Sequence, residues 1–208
     1  MAQPEPLTAT VAARVKELRK ARGLSAAALA DYMSRAGVPW QREVVANLEG
    51  GRRAAVSVTE LLALSIILSV PPQALLMAPD ARELSYVPND SVDAYRGLLW
   101  LLSEQPFGGN GGAWEDAAIP VRLVRRHHED AQWFSNSLTA LSITERWAAE
   151  GRPQQRLEFD RLAVQNSVRQ LRQTRREMRA RGMFVPELVP EIVEAAAARG
   201  ISIDEEEE

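Results

Sequence analysis

Between residues 8 and 77 the chain is interrupted four times by helix-ending residues, at Gly23, Gly37-Val38-Pro39, Gly50-Gly51 and Pro71-Pro72. Each interval between these breaks carries apolar residues three and four apart, the spacing of one helical face. Val11, Val15, Leu18 and Arg22 share a stripe, with Ala13, Lys16, Glu17 and Lys20 opposite. Thr8 or Thr10 can cap this first helix, and Ser25 caps a second with Ala28, Leu29, Tyr32 and Met33 on its apolar side. A third helix, 41–48, turns Val45 and Leu48 inward. Ser57 or Thr59 opens a fourth, whose Leu61, Leu62, Leu64, Ile66, Ile67 and Leu68 are too apolar for a surface and are expected in a core. Pro71-Pro72 starts a fifth through Leu75-Leu76. Five short helices in about 70 residues can bury their stripes only against one another, so an all-α domain over 1–78 is expected.

The rest of the chain has a different rhythm. Residues 79–91 are polar with two prolines and are expected to be a linker. A helical region over 92–200 follows, with helices at 92–103, 120–150, 156–181 and 186–199. The four glycines of 107–113 indicate a loop, and 201–208 an acidic, solvated tail. Neither an internal repeat nor a useful strand alternation is visible. Within 156–181, Leu157, Val164, Val168, Leu171 and Met178 fall close to a heptad seam, with Arg161 and Arg175 at the two positions that break it. The expectation is a homodimer whose contact lies in this helix, with a helix packed in its own domain as the alternative.

Composition narrows the function. The chain has no cysteine, which excludes disulfides, thiolate metal sites and a cysteine nucleophile. The most apolar run, 61–70, is half of what a membrane span needs, and the N-terminus lacks the basic and apolar regions of a signal peptide. A cytoplasmic protein without membrane contact is expected. Net charge is −3, but residues 1–78 carry nine Lys/Arg against six Asp/Glu, a local +3. No phosphate loop, nucleophile elbow or dinucleotide fingerprint occurs, so neither an enzyme nor a cofactor is expected.

The second and third helices carry the sharpest constellation. A helix fits the major groove with its N-terminal side chains at base edges, a second helix braces it, and phosphate ligands fix its register. Ser25, as N-cap, leaves amides that can meet a phosphate. Gln41, Arg42, Glu43, Ala46 and Asn47 lie off the face made by Val44, Val45 and Leu48, and Arg52 and Arg53 follow the glycine turn where they could grip the backbone.

Residues 14–76 resemble the lambda-repressor-like helix-turn-helix of the xenobiotic-response-element family, of actinobacterial type. The resemblance rests on Arg22-Gly23-Leu24-Ser25, Leu29-Ala30, the Leu48-Glu49-x-Gly51-x-Arg53 exit and the leucine-rich helix after it. It implies a five-helix DNA-binding domain followed by a helical C-terminal domain. The function it implies is a sequence-specific transcriptional regulator, most often a repressor, with double-stranded DNA as partner. Two departures are Ala26, where the family often has a phosphate-holding glutamine, and a longer connection from Tyr32 to Trp40. An antitoxin-like protein acting through the C-terminal region is the competing expectation.

Two other groups bear on ligand binding. His127-His128-Glu129-Asp130 cannot converge on one ion from adjacent helical positions and reads as a solvated face, so no metal is expected. Trp100, Trp114, Trp133 and Trp147, with Phe107 and Phe134, could line an effector pocket, though residues of this kind more often fill a core.

Overall fold

Serine caps and glycine turns set the helices of the N-terminal part. In this computed structural model the described residues are 7–78, 82–87, 90–107, 111–152 and 154–204. Helix α1 (Leu7–Ala21) ends at Gly23, whose φ of +65° suits a residue without a Cβ. Ser25 accepts from Ala28 N to open α2 (Ala26–Arg35). Helix α3 (Arg42–Glu49) follows, and a Ser57–Glu60 capping box opens α4 (Val58–Ile67). Helix α5 (Gln73–Leu76) completes the set. Val15, Leu29, Met33, Val45, Leu48, Leu64, Leu68 and Leu75 are fully buried together.

Helix α4 does not bury all the residues expected of it. Leu62 is 47% and Ile66 78% exposed, and Val58, four residues before Leu62, is 73% exposed. Four-residue steps keep these three on the outer face while Leu64 and Leu68 fill the core.

The chain divides into two compact units, at Phe107 and Gly108 rather than at residue 78. The expected linker contains β1 (Glu83–Val87), paired antiparallel with β2 (Asp90–Asp93), with Glu83 opposite Asp93 and Leu84 opposite Val92. The expected helix at 92 therefore starts later, as α6 (Ala94–Leu101), capped by Asp93, which accepts from Arg96 N. Gly97 explains the arrangement. A Cβ there would lie 2.8 Å from Tyr86 Cε2, so its absence seats the tyrosine ring beside Trp100 and Phe107, at centroid distances of 5.8 and 6.1 Å. The aromatic packing outweighs the polar, proline-bearing composition that suggested a linker.

The second unit is built on a long antiparallel pair, α7 (Gly111–Ala149) and α8 (Gln155–Ala180), with α9 (Pro190–Ala197) beside them. Helix α7 begins inside the expected glycine loop and runs through Pro120 without ending. The heptad stripe of α8 is buried within the chain. Leu157, Val164, Val168 and Leu171 pack with Phe134, Leu138 and Leu141 of α7 and Ala196 of α9. The seam expected to hold a second copy is thus covered by the chain's own α7, and Arg175 within it is also buried.

The two helices share a pattern that had not been visible. Asp130, Ser137, Leu141 and Thr144 recur thirty residues later as Asp160, Ser167, Leu171 and Thr174. All eight are buried. Thr174 Oγ1 donates to Asp130 Oδ2 at 2.6 Å, and that register sets Ser137 opposite Ser167 and Thr144 opposite Asp160. Among the described residues the protein is otherwise helical, and no helix is long and apolar enough to cross a membrane.

Candidate nucleic-acid interface

The two buried residues of α3, Val45 and Leu48, leave its other side outward. Arg42, Glu43 and Ala46 are exposed there, Asn47 is half-buried, and Gln41 sits exposed at the N-cap without a side-chain cap bond. These five sequence-selected residues therefore lie on or beside one helix. Ser25 is exposed at the start of α2, the helix packed against α3. Its hydroxyl holds Ala28 N at 3.0 Å, which satisfies one of the first-turn amides.

Arg52 and Arg53 differ from each other. Arg52 is exposed, and its Nε donates to Asn47 Oδ1 at 2.9 Å, tying the glycine turn to α3. Arg53 Nη2 donates to both oxygens of Glu60, at 3.0 and 3.2 Å, and the guanidinium carbon lies 5.3 Å from the centre of the Trp40 ring. Its Nη1 is buried without a partner. Arg53 is thus built into the protein, with its charge matched by Glu60, and it is less available to a phosphate than its place in the sequence implied.

Two groups that sequence reasoning missed hold α3 in place. Trp40, buried just before the helix, donates from Nε1 to Glu60 Oε1 at 2.8 Å. Glu60 also accepts from Ser57 N. Burial pushes the Glu60 carboxyl up, but the hydrogen bonds from Ser57, Trp40 and Arg53 outweigh it and hold the group below its ordinary value. At the other end of α3, Arg19 meets Glu49 in a two-pronged pair. Nε reaches Oε1 at 2.6 Å and Nη2 reaches Oε2 at 2.7 Å, while Nη1 donates to Leu24 O at 2.5 Å. Hydrogen bonding to Glu49 is the largest influence on Arg19 and keeps it charged. One guanidinium so joins α1, the turn before α2 and the last residue of α3. Glu49 stood in the motif, but nothing local marked Arg19 as its partner thirty residues earlier. A lone tryptophan after Gly37-Val38-Pro39 was the available signal for Trp40.

The other candidates fall differently. His127 and Asp130 are buried, not a solvated face, whereas His128 and Glu129 are exposed. Arg175 Nη1 lies 3.0 Å from His127 Nε2; a guanidinium can only donate, so Nε2 accepts and the ring is neutral. No metal-binding group occurs among the described residues. The aromatic residues do not line one pocket. Trp100 and Phe107 stack in the first unit, Phe134 fills the core of the second, and Trp133 and Trp147 are exposed. Asp204, expected in a solvated tail, accepts from Arg175 Nε at 2.9 Å and pairs with Arg179. Glu205, Glu206, Glu207 and Glu208 lie outside the described residues.

No family model matches this chain, and no curated protein or solved structure gives a match to it.

Proposed function

We propose that the chain is a sequence-specific DNA-binding transcriptional regulator, without enzymatic activity, whose first five helices form a lambda-repressor-like head. The observation that carries the proposal is the outward face of α3. Its exposed Arg42, Glu43 and Ala46 stand on a short helix braced by α2 and anchored at both ends by the Trp40–Glu60 and Arg19–Glu49 contacts. A helix fixed in this way keeps its side chains in one orientation, which base readout in the major groove requires. Arg42 is the residue proposed to read a base, with Gln41, Glu43, Ala46 and Asn47 as its neighbours. Arg52 and the first turn of α2 at Ser25 are proposed to meet phosphates.

A homodimer belongs to the proposal, because one reading helix specifies only a few base pairs and a two-fold pair doubles them. With the α8 stripe buried in its own chain, an outer contact is needed elsewhere. The Val58–Leu62–Ile66 stripe is symmetric about Leu62, so two α4 helices crossing there would match Val58 of each with Ile66 of the other.

Selection from a random duplex library with the full chain tests the proposal, followed by titration of the selected site at several salt concentrations. Binding is expected to an inverted repeat, with log affinity falling linearly with log salt. Failure to enrich any sequence, or an affinity indifferent to salt, would refute it. A second reading, an interaction protein, is favoured by the exposed Trp133, Trp147 and Phe159 of the α7–α8 pair. One stoichiometric protein partner together with an empty DNA selection would establish that reading in place of the first.

A further inference from the structure

The chain after α9 makes a tight return. Gly200, at φ +68°, ends the helix, and Ile201 N donates to Ala196 O at 3.0 Å. The next residues are fastened to the core of the second unit. Ile201 and Ile203 pack into its apolar cluster, Ser202 O accepts from Arg172 Nε at 3.1 Å, and Asp204 binds Arg175. Between this strap and α9 lies a half-open cavity of about 790 Å³. Leu188, Pro190, Val193, Ala197, Ile201 and Ile203 form its apolar walls. Volume and lining match those of small-molecule sites, which run from roughly 300 to 1,000 Å³ and are mostly apolar with a few polar groups. The fastening of both sides means that the space exists before a ligand arrives.

Charge selects the class of ligand. Among the described lining residues the one cation is Arg175, and four of its five N–H donors are spent: Nε and Nη2 on Asp204, Nη1 on His127 and on Pro186 O. Its charge is matched by the Asp204 carboxylate, so it offers an anion little attraction. Glu187 and Glu194 also line the cavity, both are exposed, and neither meets a cation among the described residues. An incoming positive charge would find two open carboxylates, whereas an incoming negative charge would meet their repulsion and an arginine already matched by Asp204.

We propose that this cavity is a binding site for a small organic cation with an apolar, aromatic-sized body. The site lies entirely in the second unit and does not depend on DNA binding by the first.

The test uses the full chain and a pair of dyes that share a xanthene skeleton but differ in charge, cationic rhodamine 6G and anionic fluorescein, followed by fluorescence polarisation. Rhodamine 6G is expected to bind saturably with one site per chain, and fluorescein not at all. Substituting Glu187→Gln and Glu194→Gln together should weaken rhodamine binding about fivefold or more, since two partly solvated ion pairs are lost. Ala197→Trp, on an exposed position of α9, should fill the cavity and abolish binding with the helical circular dichroism unchanged. Equal binding of both dyes, no saturable binding of rhodamine 6G, or an unchanged affinity in the double glutamine variant would overturn the proposal. The glutamine variants alter only exposed side chains, so they decide the matter even if the tryptophan variant does not fold.

Discussion

The Arg19–Glu49 pair lets the anchoring of α3 be separated from its surface chemistry. Its side chains are only 11% and 10% exposed, and its two charge-assisted bonds, of 2.6 and 2.7 Å, are short ones. Each such bond contributes about 1.5–3 kcal/mol net of the bonds to water that it replaces. Glu49→Ala leaves a buried guanidinium whose one remaining partner is Leu24 O, and the expected loss is roughly 3 kcal/mol, at the lower end for a broken buried pair because the site retains some solvent. Arg19→Met should cost a similar amount by leaving Glu49 unpaired. Glu49→Leu alone should cost about as much as Glu49→Ala, but together with Arg19→Met it removes both charges and keeps the volume, so the double variant should lose only about 1 kcal/mol. Against single losses of roughly 3 kcal/mol each, the double-mutant cycle of Arg19→Met and Glu49→Leu should give a coupling of about 5 kcal/mol. Hydrogen exchange of peptides over α2 and α3 in the full chain measures this, because it separates the first unit from the second. Single variants within about 0.5 kcal/mol of the parent, or additive effects in the double variant, would show that the pair is a bystander.

Three further outcomes follow from the same contacts. Arg42→Ala should weaken the selected DNA site by about 1–3 kcal/mol and relax one base position, whereas Arg53→Ala should lower the stability of the first unit by about 1–2 kcal/mol, through the loss of its Glu60 bonds; a base-specific defect in Arg53→Ala would reverse these roles. Burial, then the charge of Arg175, depress the His127 imidazole below its ordinary 6.5, while Asp130 opposes them. Because the folded ring resists a proton that the unfolded chain accepts, the second unit should lose stability as the pH falls below 6.5, by at most about 1.4 kcal/mol per pH unit; His127→Leu should flatten that slope in denaturant titrations at pH 7.5 and 5.5. Gly97→Ala should speed hydrogen exchange in β1 and β2 by displacing the Tyr86 ring, even though alanine favours α6 by about 1 kcal/mol; unchanged exchange there would show that the ring has room to move.

The first five helices were legible because their signals are local. A serine before an apolar stripe and a glycine after it announce a helix whatever the tertiary structure, and Ser25, Gly23 and Ser57 do so here. What could not be read locally was which apolar residues lie inside. Leu62 and Leu64 have the same chemistry, and only the orientation of α4 against the other helices makes one exposed and the other buried. The anchors of α3 were hidden for a related reason. Arg19 and Glu49 are thirty residues apart, and an arginine on a helix carries no mark of the carboxylate that it will meet. The β-hairpin was obscured by composition, since a polar stretch with prolines gives the same signal whether it is a linker or a short pair of strands. It is Gly97, in the next helix, that makes room for Tyr86 and so for the packing beside the pair.

The α7–α8 repeat shows how far pattern alone can specify a structure. Polar residues every seven positions on both helices, Asp130, Ser137 and Thr144 against Asp160, Ser167 and Thr174, form layers inside the hairpin. A seven-residue slip would bring Asp130 opposite Ser167, which can donate to it as Thr174 does, and Ser137 opposite Asp160, but it would set Thr174 against Leu123, so it keeps two of the three layers. The layers therefore favour the observed register by one pairing, and residues outside the repeat add to that preference. Arg175 reaches His127 of α7, Pro186 before α9 and Asp204 after it, and after a slip of one heptad it could not reach His127 while Asp130 kept a hydroxyl partner. The guanidinium that breaks the heptad seam of α8 therefore adds to the preference of the layers for the observed register, since its contacts exist only there.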